Sequence, residues 1–418
     1  MKIVQVSPMY APVLGGAEHH LQALSEGLAV RGHEVTVLTA NVRNGWDLYP
    51  PYRDGHLPEA EVINGVNVIR VPPDGGLAGK ALKGVVELKG GWRSLRSVFG
   101  EDGFGMLCQG PQSLAMIHYL IGVKADIVSS MNWFYSPAYY VYLARKLKRF
   151  PLVGIPLFHT VQPWCNRKIY DKMLASCDVV VVNTSHEGQY ARQRGATQVE
   201  VGGVGIDPKV FDNRNGHEIR ARYGLGNFPV IGFVGRQDEK KGAHKVVAAM
   251  RNVWRWNPEV RLVLAGPRSP QKKDIEALIN DLPWSQRKQV IDIGAFDERD
   301  KGSLFASFDV FAMPSTEESF GIAYLESWLC KKPVIGARIG STQCVIDEGV
   351  DGLLADPNDP ADIGRAMIDL LSDEVKREKM GNRGYAKTLA TFTWEKVVDR
   401  VEGLYLDLLD KKRKYRWR

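Results

Sequence analysis

The 418-residue chain has no run of 18 consecutive apolar residues, so no segment is long enough to span a bilayer as a helix. It also lacks a charged start followed by an apolar signal run, because Met1 leads directly into Lys2-Ile-Val-Gln-Val-Ser7. The expectation is a protein that neither crosses a membrane nor is exported by its own sequence. Cysteine is sparse and scattered: Cys108, Cys165, Cys177, Cys330 and Cys344 show no metal-ligand spacing, and an odd number suits no disulfide framework. That points to a reduced, cytoplasmic compartment. No Gly-x-Gly-x-x-Gly follows the first strand-like run, which disfavours a dinucleotide-dependent oxidoreductase. Asp-x-Asp is absent throughout, so the usual pair of carboxylates for clamping a metal-bound diphosphate is missing. A broadly basic surface is lacking too. The net charge is +7, yet six of the eight residues Lys411–Arg418 are Lys or Arg, and the remaining 49 basic and 48 acidic residues nearly cancel. This argues against a nucleic-acid partner. The tail, with Tyr415 and Trp417 interleaved, reads either as a frayed, solvated terminus or as a contact for anionic lipid headgroups.

What is present is ordinary globular composition, 44% apolar and 25% charged, in a chain too long for a single core. Short β-branched runs alternate with helix-period segments, the pattern of parallel strands joined by helical crossovers. Strands are predicted at Ile3–Ser7, Val35–Thr39, Val68–Val71, Ile127–Ser130, Leu152–Phe158 and Val179–Val182, with helices such as Glu18–Val30 and Tyr139–Leu147 between some of them. The polar, Pro- and Gly-bearing stretch Asp207–Gly216 suits a linker. The alternation then restarts, with strands predicted at Val230–Val234, Arg261–Ala265, Val290–Ile293, Val310–Met313, Val334–Gly336 and Gly352–Ala355. The fold class is therefore α/β, two Rossmann-like doubly wound domains facing across a cleft, at 1–207 and 217–392. Residues 393–418 form a C-terminal helix that packs back toward the first domain and carries the basic tail. In sheets of this kind ligands bind beyond the carboxyl ends of the strands.

One segment breaks the rhythm. Gly75–Ser97 holds Lys80, Lys83, Lys89, Arg93 and Arg96 against the single acid Glu87, with apolar residues at three- and four-residue spacing. It reads as a solvated insertion or as a basic amphipathic helix that meets an anionic lipid or lipid-linked acceptor.

Chemistry-bearing residues gather after three strands. Gly15 and Gly16 precede the first helix, where backbone can approach a phosphate and the helix start offers amide donors, although such a pair also serves as a plain turn. Arg236 and Lys241 follow the strand Val230–Val234; a forked guanidinium and a point-charge ammonium suit a diphosphate, and pairing with Asp238 and Glu239 as a surface cluster is the alternative. After Val310–Met313 comes Pro314-Ser-Thr-Glu-Glu-Ser-Phe-Gly-Ile-Ala-Tyr-Leu-Glu326, with helix-start signals at Ser319 and Gly321. Glu318 should lie in the loop and Glu326 near the second helical turn, at most about 12 Å apart if both were helical. That span fits a hexose and the ribose of its nucleotide, with Phe320 to Ala323 supplying amides to the diphosphate between them. Two carboxylates also suit a hydrolytic acid and base, though a helix start beside them fits an anionic leaving group better.

Taken together, the Glu-x7-Glu arrangement, the Arg236/Lys241 pair, the Gly15-Gly16-Ala17-Glu18 loop and the closing Phe392-Thr-Trp394-Glu-Lys-Val resemble the family 4 glycosyltransferases. That resemblance implies the GT-B fold, a first domain that holds the acceptor and a second that holds the nucleotide sugar, and retention at the anomeric carbon. It implies that Gly16, with Gly15, meets the donor phosphate. Arg236 and Lys241 would stabilise the departing diphosphate, Glu318 would contact the transferred sugar, and Glu326 would hold the ribose. Ser319, Phe320, Gly321 and Ile322 would offer main-chain donors, and base recognition would fall to main chain near Gly294–Phe296. His159, after an apolar strand, matches the family's active-site histidine beside the sugar. The chain departs from the pattern at Ser129-Ser-Met-Asn-Trp133, where histidines are frequent, and at Gly203-Val-Gly-Ile-Asp207, in place of a Pro-Asn-Gly turn.

The expected activity is hexosyl transfer from a UDP- or GDP-sugar to a hydroxyl of a glycan, lipid-linked or small-molecule acceptor, with no cofactor and no essential metal. A nucleotide-sugar 2-epimerase and a non-catalytic nucleotide-sugar-binding subunit are the rivals. An anionic surface at the inner face of the membrane, met through Lys411–Arg418 and Gly75–Ser97, is the further partner expected.

Overall fold

The computed structural model describes residues 1–13, 15–49, 57–73, 100–268 and 273–416. The chain forms two compact units, Met1–Gly203 with Val397–Arg418, and Val204–Lys396. The segment Gly75–Ser97 lies outside the described residues.

In the first unit eight strands are ordered β3-β4-β2-β1-β5-β6-β7-β8. They are β1 (Lys2–Val6), β2 (Glu34–Ala40), β3 (Ala60–Ile63), β4 (Val66–Val71), β5 (Ile127–Met131), β6 (Leu152–Ile155), β7 (Val179–Val182) and β8 (Val199–Val201). All pairings are parallel except β3 with β4. Strands β5, β6 and β7 are buried at every residue, as a sheet covered on both faces requires. Strand β3 is half-exposed to exposed throughout and β8 has three residues, which is why apolar runs did not reveal them. Strand β6 ends three residues short of the predicted Phe158, because Leu157 takes a left-handed conformation, φ 55°, that no strand accommodates.

The helix Trp394–Arg416 starts in the second unit and ends in the first. Val398, Val401, Tyr405 and Leu408 join the core formed by Leu21, Leu24 and Leu28 of the helix Gly16–Val30 and by Ile3, Val35 and Val153 of the sheet. The approach is close enough that a Cβ on Gly27 would lie 2.5 Å from Val398. Arg31 pairs with Glu402 at 2.6 Å, and the Arg400 guanidinium donates to the Gly202 carbonyl at 2.8 Å. The basic segment is thus not a frayed terminus as far as it is described: it is helical through Arg416, and Lys412 pairs with Asp178 at 3.0 Å.

The second unit has six strands ordered β11-β10-β9-β12-β13-β14, all parallel. They are β9 (Val230–Val234), β10 (Arg261–Ala265), β11 (Val290–Gly294), β12 (Val310–Met313), β13 (Val334–Ala337) and β14 (Gly352–Ala355). The stretch Asp207–Gly216 is not a free linker: Phe211 is 2% exposed within this unit's core, and the change of unit falls at Gly203/Val204. The outward steps of the chain reverse between β9 and β12, and in the first unit between β1 and β5. At such switch points the loops leaving adjacent carboxyl ends diverge and open a crevice.

Candidate functional site

In the second unit the two loops at the switch point are joined by main chain. The Lys240 carbonyl accepts from the Thr316 amide at 2.8 Å and from the Ser315 hydroxyl at 2.9 Å. Gly242, φ 84°, makes the approach possible, since a Cβ there would stand 2.6 Å from the Pro314 carbonyl oxygen. This brings Lys241 to Glu318, with Nζ to Oε1 at 2.5 Å, and Lys240 to Glu317 at 2.7 Å. Glu318 is only 6% exposed and Lys241 25%, so the pair is largely withdrawn from water.

The helix Ile322–Leu329 begins behind Gly321, φ 95°, where a Cβ would meet the Tyr324 ring at 2.4 Å. Tyr324 is fully buried and donates to the Met313 carbonyl at 2.8 Å, tying the helix start to the end of β12. Phe320 turns its ring into the core, edge-on to Phe392 at 5.4 Å. Its contribution to a ligand is therefore its main chain. Ser319 to Ile322 lie at the positive end of this helix, suited to a phosphate.

Glu326 sits one turn in from the helix start and faces a cation that the sequence reading passed over. Lys301 Nζ is 3.2 Å from Glu326 and 2.5 Å from Glu298. Burial raises the Glu326 carboxyl above its ordinary value, and Lys301 opposes that shift. Burial alone would depress Lys301, but Glu326 and Glu298 outweigh it and leave its pKa raised. Glu318 and Glu326 thus face different cations, not one scissile bond. Arg236 stands more apart, 65% exposed and 3.1 Å from Asp238, so the surface pairing considered for it is present.

In the first unit, Gly15 and Gly16 follow β1 and open the helix Gly16–Val30. A Cβ on Gly15 would lie 2.1 Å from a Glu18 carboxylate oxygen, the free end of a side chain that can swing aside, so this contact does not itself require glycine. At Gly16 an added Cβ meets no described atom within 4 Å, so the space over this helix start is open. His159 lies in the loop after β6, half-buried, its carbonyl accepting from the Gln162 amide at 2.8 Å. Beside it the turn after β5 holds Asn132 at φ 59°, with the Asn132 and Trp133 amides bonded to the Ile155 and Pro156 carbonyls. The residues that stand where histidines are frequent in the family thus pair with the His159 loop. Among the described residues, no group of three or more His, Cys, Asp or Glu side chains could hold a metal ion, and no helix is long and apolar enough to cross a membrane.

Comparison with known proteins follows the division of the chain. Residues 15–204 match the profile described as a glycosyl transferase 4-like domain, and residues 216–387 the one described as glycosyl transferases group 1. An uncharacterized glycosyltransferase of Methanocaldococcus jannaschii is 27% identical over 421 residues, covering 97% of this chain and 98% of that protein. A D-inositol 3-phosphate glycosyltransferase of Corynebacterium diphtheriae is 26% identical over 433 residues, covering 97% and 93%. The fold is similar to that of Anabaena HepE, solved in complex with UDP and glucose, with a TM-score of 0.71 at 18% identity over 97% of this chain and 100% of that one. With two doubly wound sheets and both halves matched, the chain belongs to the family 4 glycosyltransferases, retaining enzymes of the GT-B fold.

Proposed function

We propose that this enzyme transfers a hexosyl group from a nucleoside diphosphate sugar to an acceptor hydroxyl, with the donor held on the second unit. The observation that carries the reading is the Lys241–Glu318 pair at the start of the helix Ile322–Leu329, with Glu326 one turn further along. Without ligand, the two groups neutralise each other. A donor separates their tasks: Lys241 and Arg236 take the diphosphate, and Glu318 accepts from the sugar hydroxyls. The amides of Ser319 to Ile322 bind between sugar and phosphate, and Glu326 accepts from the ribose hydroxyls.

As the bond to the anomeric carbon breaks, negative charge grows on the diphosphate, and Lys241, Arg236 and the amides of the helix start are the groups that would meet it. The acceptor attacks from the face the phosphate leaves, and the phosphate oxygen takes its proton, which accounts for retention without a protein nucleophile. In the first unit, Gly16 takes the family's role at the phosphate and His159 its role at the sugar. The cations neutralise the leaving group in place of a metal.

UDP in the HepE complex and the inositol phosphate named for the corynebacterial relative support a UDP-sugar donor and a phosphorylated polyol among the acceptors to be tried. Thermal melting with a panel of UDP-, GDP- and ADP-sugars tests the reading. Stabilisation by one of them that Glu326→Ala abolishes is expected; no shift with any donor would refute it. The basic helix end, Lys411 onward, is proposed to meet anionic membranes. Equal cosedimentation with anionic and neutral vesicles would refute that.

A further inference from the structure

Glu187 is a buried acid in the first unit, 1% exposed, with its carboxyl pushed by burial up to about 7. It lies in the first turn of the helix Ser185–Gln193, and its amide donates to the Thr184 hydroxyl at 3.2 Å. Thr-x-x-Glu is the sequence of a capping box, in which the acid returns to the amide of the cap residue. Glu187 does something else. One carboxylate oxygen accepts from the Asn183 amide at 2.9 Å, one residue ahead of the cap, and the other accepts from the Phe158 amide at 2.8 Å. The second bond leaves the helix and reaches the residue immediately before His159.

An N-cap can be satisfied at the surface, where a carboxylate keeps its water. Withdrawing one from solvent is costly unless it is well bonded. What the buried position adds here is a fixed point on another loop, and that loop needs one. Leu157 holds φ 55°, unfavourable for a bulky side chain and sustained only where the surroundings determine it. Phe158, next in line, is gripped by its ring as well as its amide, at 5.9 Å from Trp133 and 5.3 Å from both Tyr170 and Tyr190. Trp133 is in turn fixed by its indole N–H on the Ser130 carbonyl. His159 therefore follows directly on a residue held from two sides.

We infer that Glu187 is a positioning residue for glycosyl transfer: by holding the Phe158 amide it sets the place of His159 at the donor sugar, and it acts through His159 without touching substrate. This rests on the role proposed above for His159.

The test is a double-mutant cycle on the full chain. It is read as nucleoside diphosphate release from UDP-glucose, GDP-mannose and ADP-glucose, using for every variant whichever the unsubstituted protein turns over fastest. Glu187→Gln keeps the shape but offers an NH2 to one of the two amides. It is expected to lower kcat by about tenfold or more with donor KM within about twofold, and to speed hydrogen exchange across residues 156–160. In a His159→Ala background the same change is expected to cost less than about twofold, since residues acting as a unit are not additive. Losses that multiply, or a normal kcat in Glu187→Gln, overturn the inference. A normal rate in His159→Ala refutes the underlying reading of His159 instead. Should Glu187→Gln fold poorly, Glu187→Asp, which keeps the charge, serves in the same cycle with the same criteria.

Discussion

Lys241→Ala removes the cation that Glu318 faces at 2.5 Å and leaves a carboxylate 6% exposed without it. Breaking a buried ion pair from one side costs about 3–5 kcal/mol, because the surviving charge stays desolvated. Lys241 is a quarter exposed, so water can enter where its side chain was, and the cost falls below that range, to about 2–3 kcal/mol. In a unit of this size each kcal/mol moves Tm by about 2–4 °C, so the variant should melt roughly 5–10 °C lower. Lys241→Met combined with Glu318→Gln removes both charges and keeps both shapes. It should regain most of the lost Tm, because no unpaired charge remains. Turnover should not return: deleting a group that meets developing charge costs about 100-fold or more. Melting curves and initial rates of nucleoside diphosphate release on the three proteins separate the two effects. A doubly substituted protein with near-normal turnover would refute the site assignment, and an unchanged Tm in Lys241→Ala would refute the energetic argument.

Lys301→Met should raise donor KM by about tenfold with kcat largely kept, since Glu326 loses the cation that opposes its protonation; 2′- and 3′-deoxyribose donors should show little of that penalty, and equal effects on all donors would count against ribose binding. Donor affinity should also fall as pH is lowered through the raised Glu326 value, because a protonated carboxyl accepts poorly, and isothermal titration across that range checks it. Glu187 has its folded value raised from 4.5 to about 7, so its contribution to stability is fully present below 4.5 and is lost as pH rises through 7. The unsubstituted protein should therefore lose stability relative to Glu187→Gln between pH 5 and 8, by on the order of 2 kcal/mol in urea titrations; an unchanged difference would show that the carboxyl titrates normally. Transfer should survive excess chelator, and activity that disappears and returns only with a divalent ion would refute the metal-free reading.

How much of this was legible in the sequence differs from residue to residue. Strands β9, β10, β12 and β14 have the bounds read from the sequence, because a parallel strand buried on both faces is a short apolar run with sharp ends. Strand β3, Ala60-Glu-Val-Ile63, is too short and too interrupted by Glu61 to stand out, and as the edge strand beside β4 it is exposed or half-exposed throughout. Glu318 and Glu326 stood out through their spacing at a helix start. Lys301 did not, because Glu298-Arg-Asp-Lys301 looks like a solvated charge run, and only the fold carries its Nζ to Glu326. Glu187 was hidden for a different reason: a Thr-x-x-Glu sequence already has a local explanation, and the contact with Phe158 spans 29 residues. The segment Asp207–Gly216 misled through composition alone, since a single buried side chain within it, Phe211, is the anchor while its neighbour Val210 stays exposed.

The helix Trp394–Arg416 has a consequence for how the protein is made. The second unit is continuous, Val204–Lys396, and can close its core as soon as that stretch leaves the ribosome. The first unit begins at Met1 but needs Val398, Val401, Tyr405 and Leu408 to cover one face of its sheet. The half synthesised first is thus completed last, and until then an apolar sheet face is exposed to nascent neighbours and chaperones. Cutting the gene after residue 203 would make that transient condition permanent, whereas a fragment of 1–203 supplied with 397–416 has every part of its core.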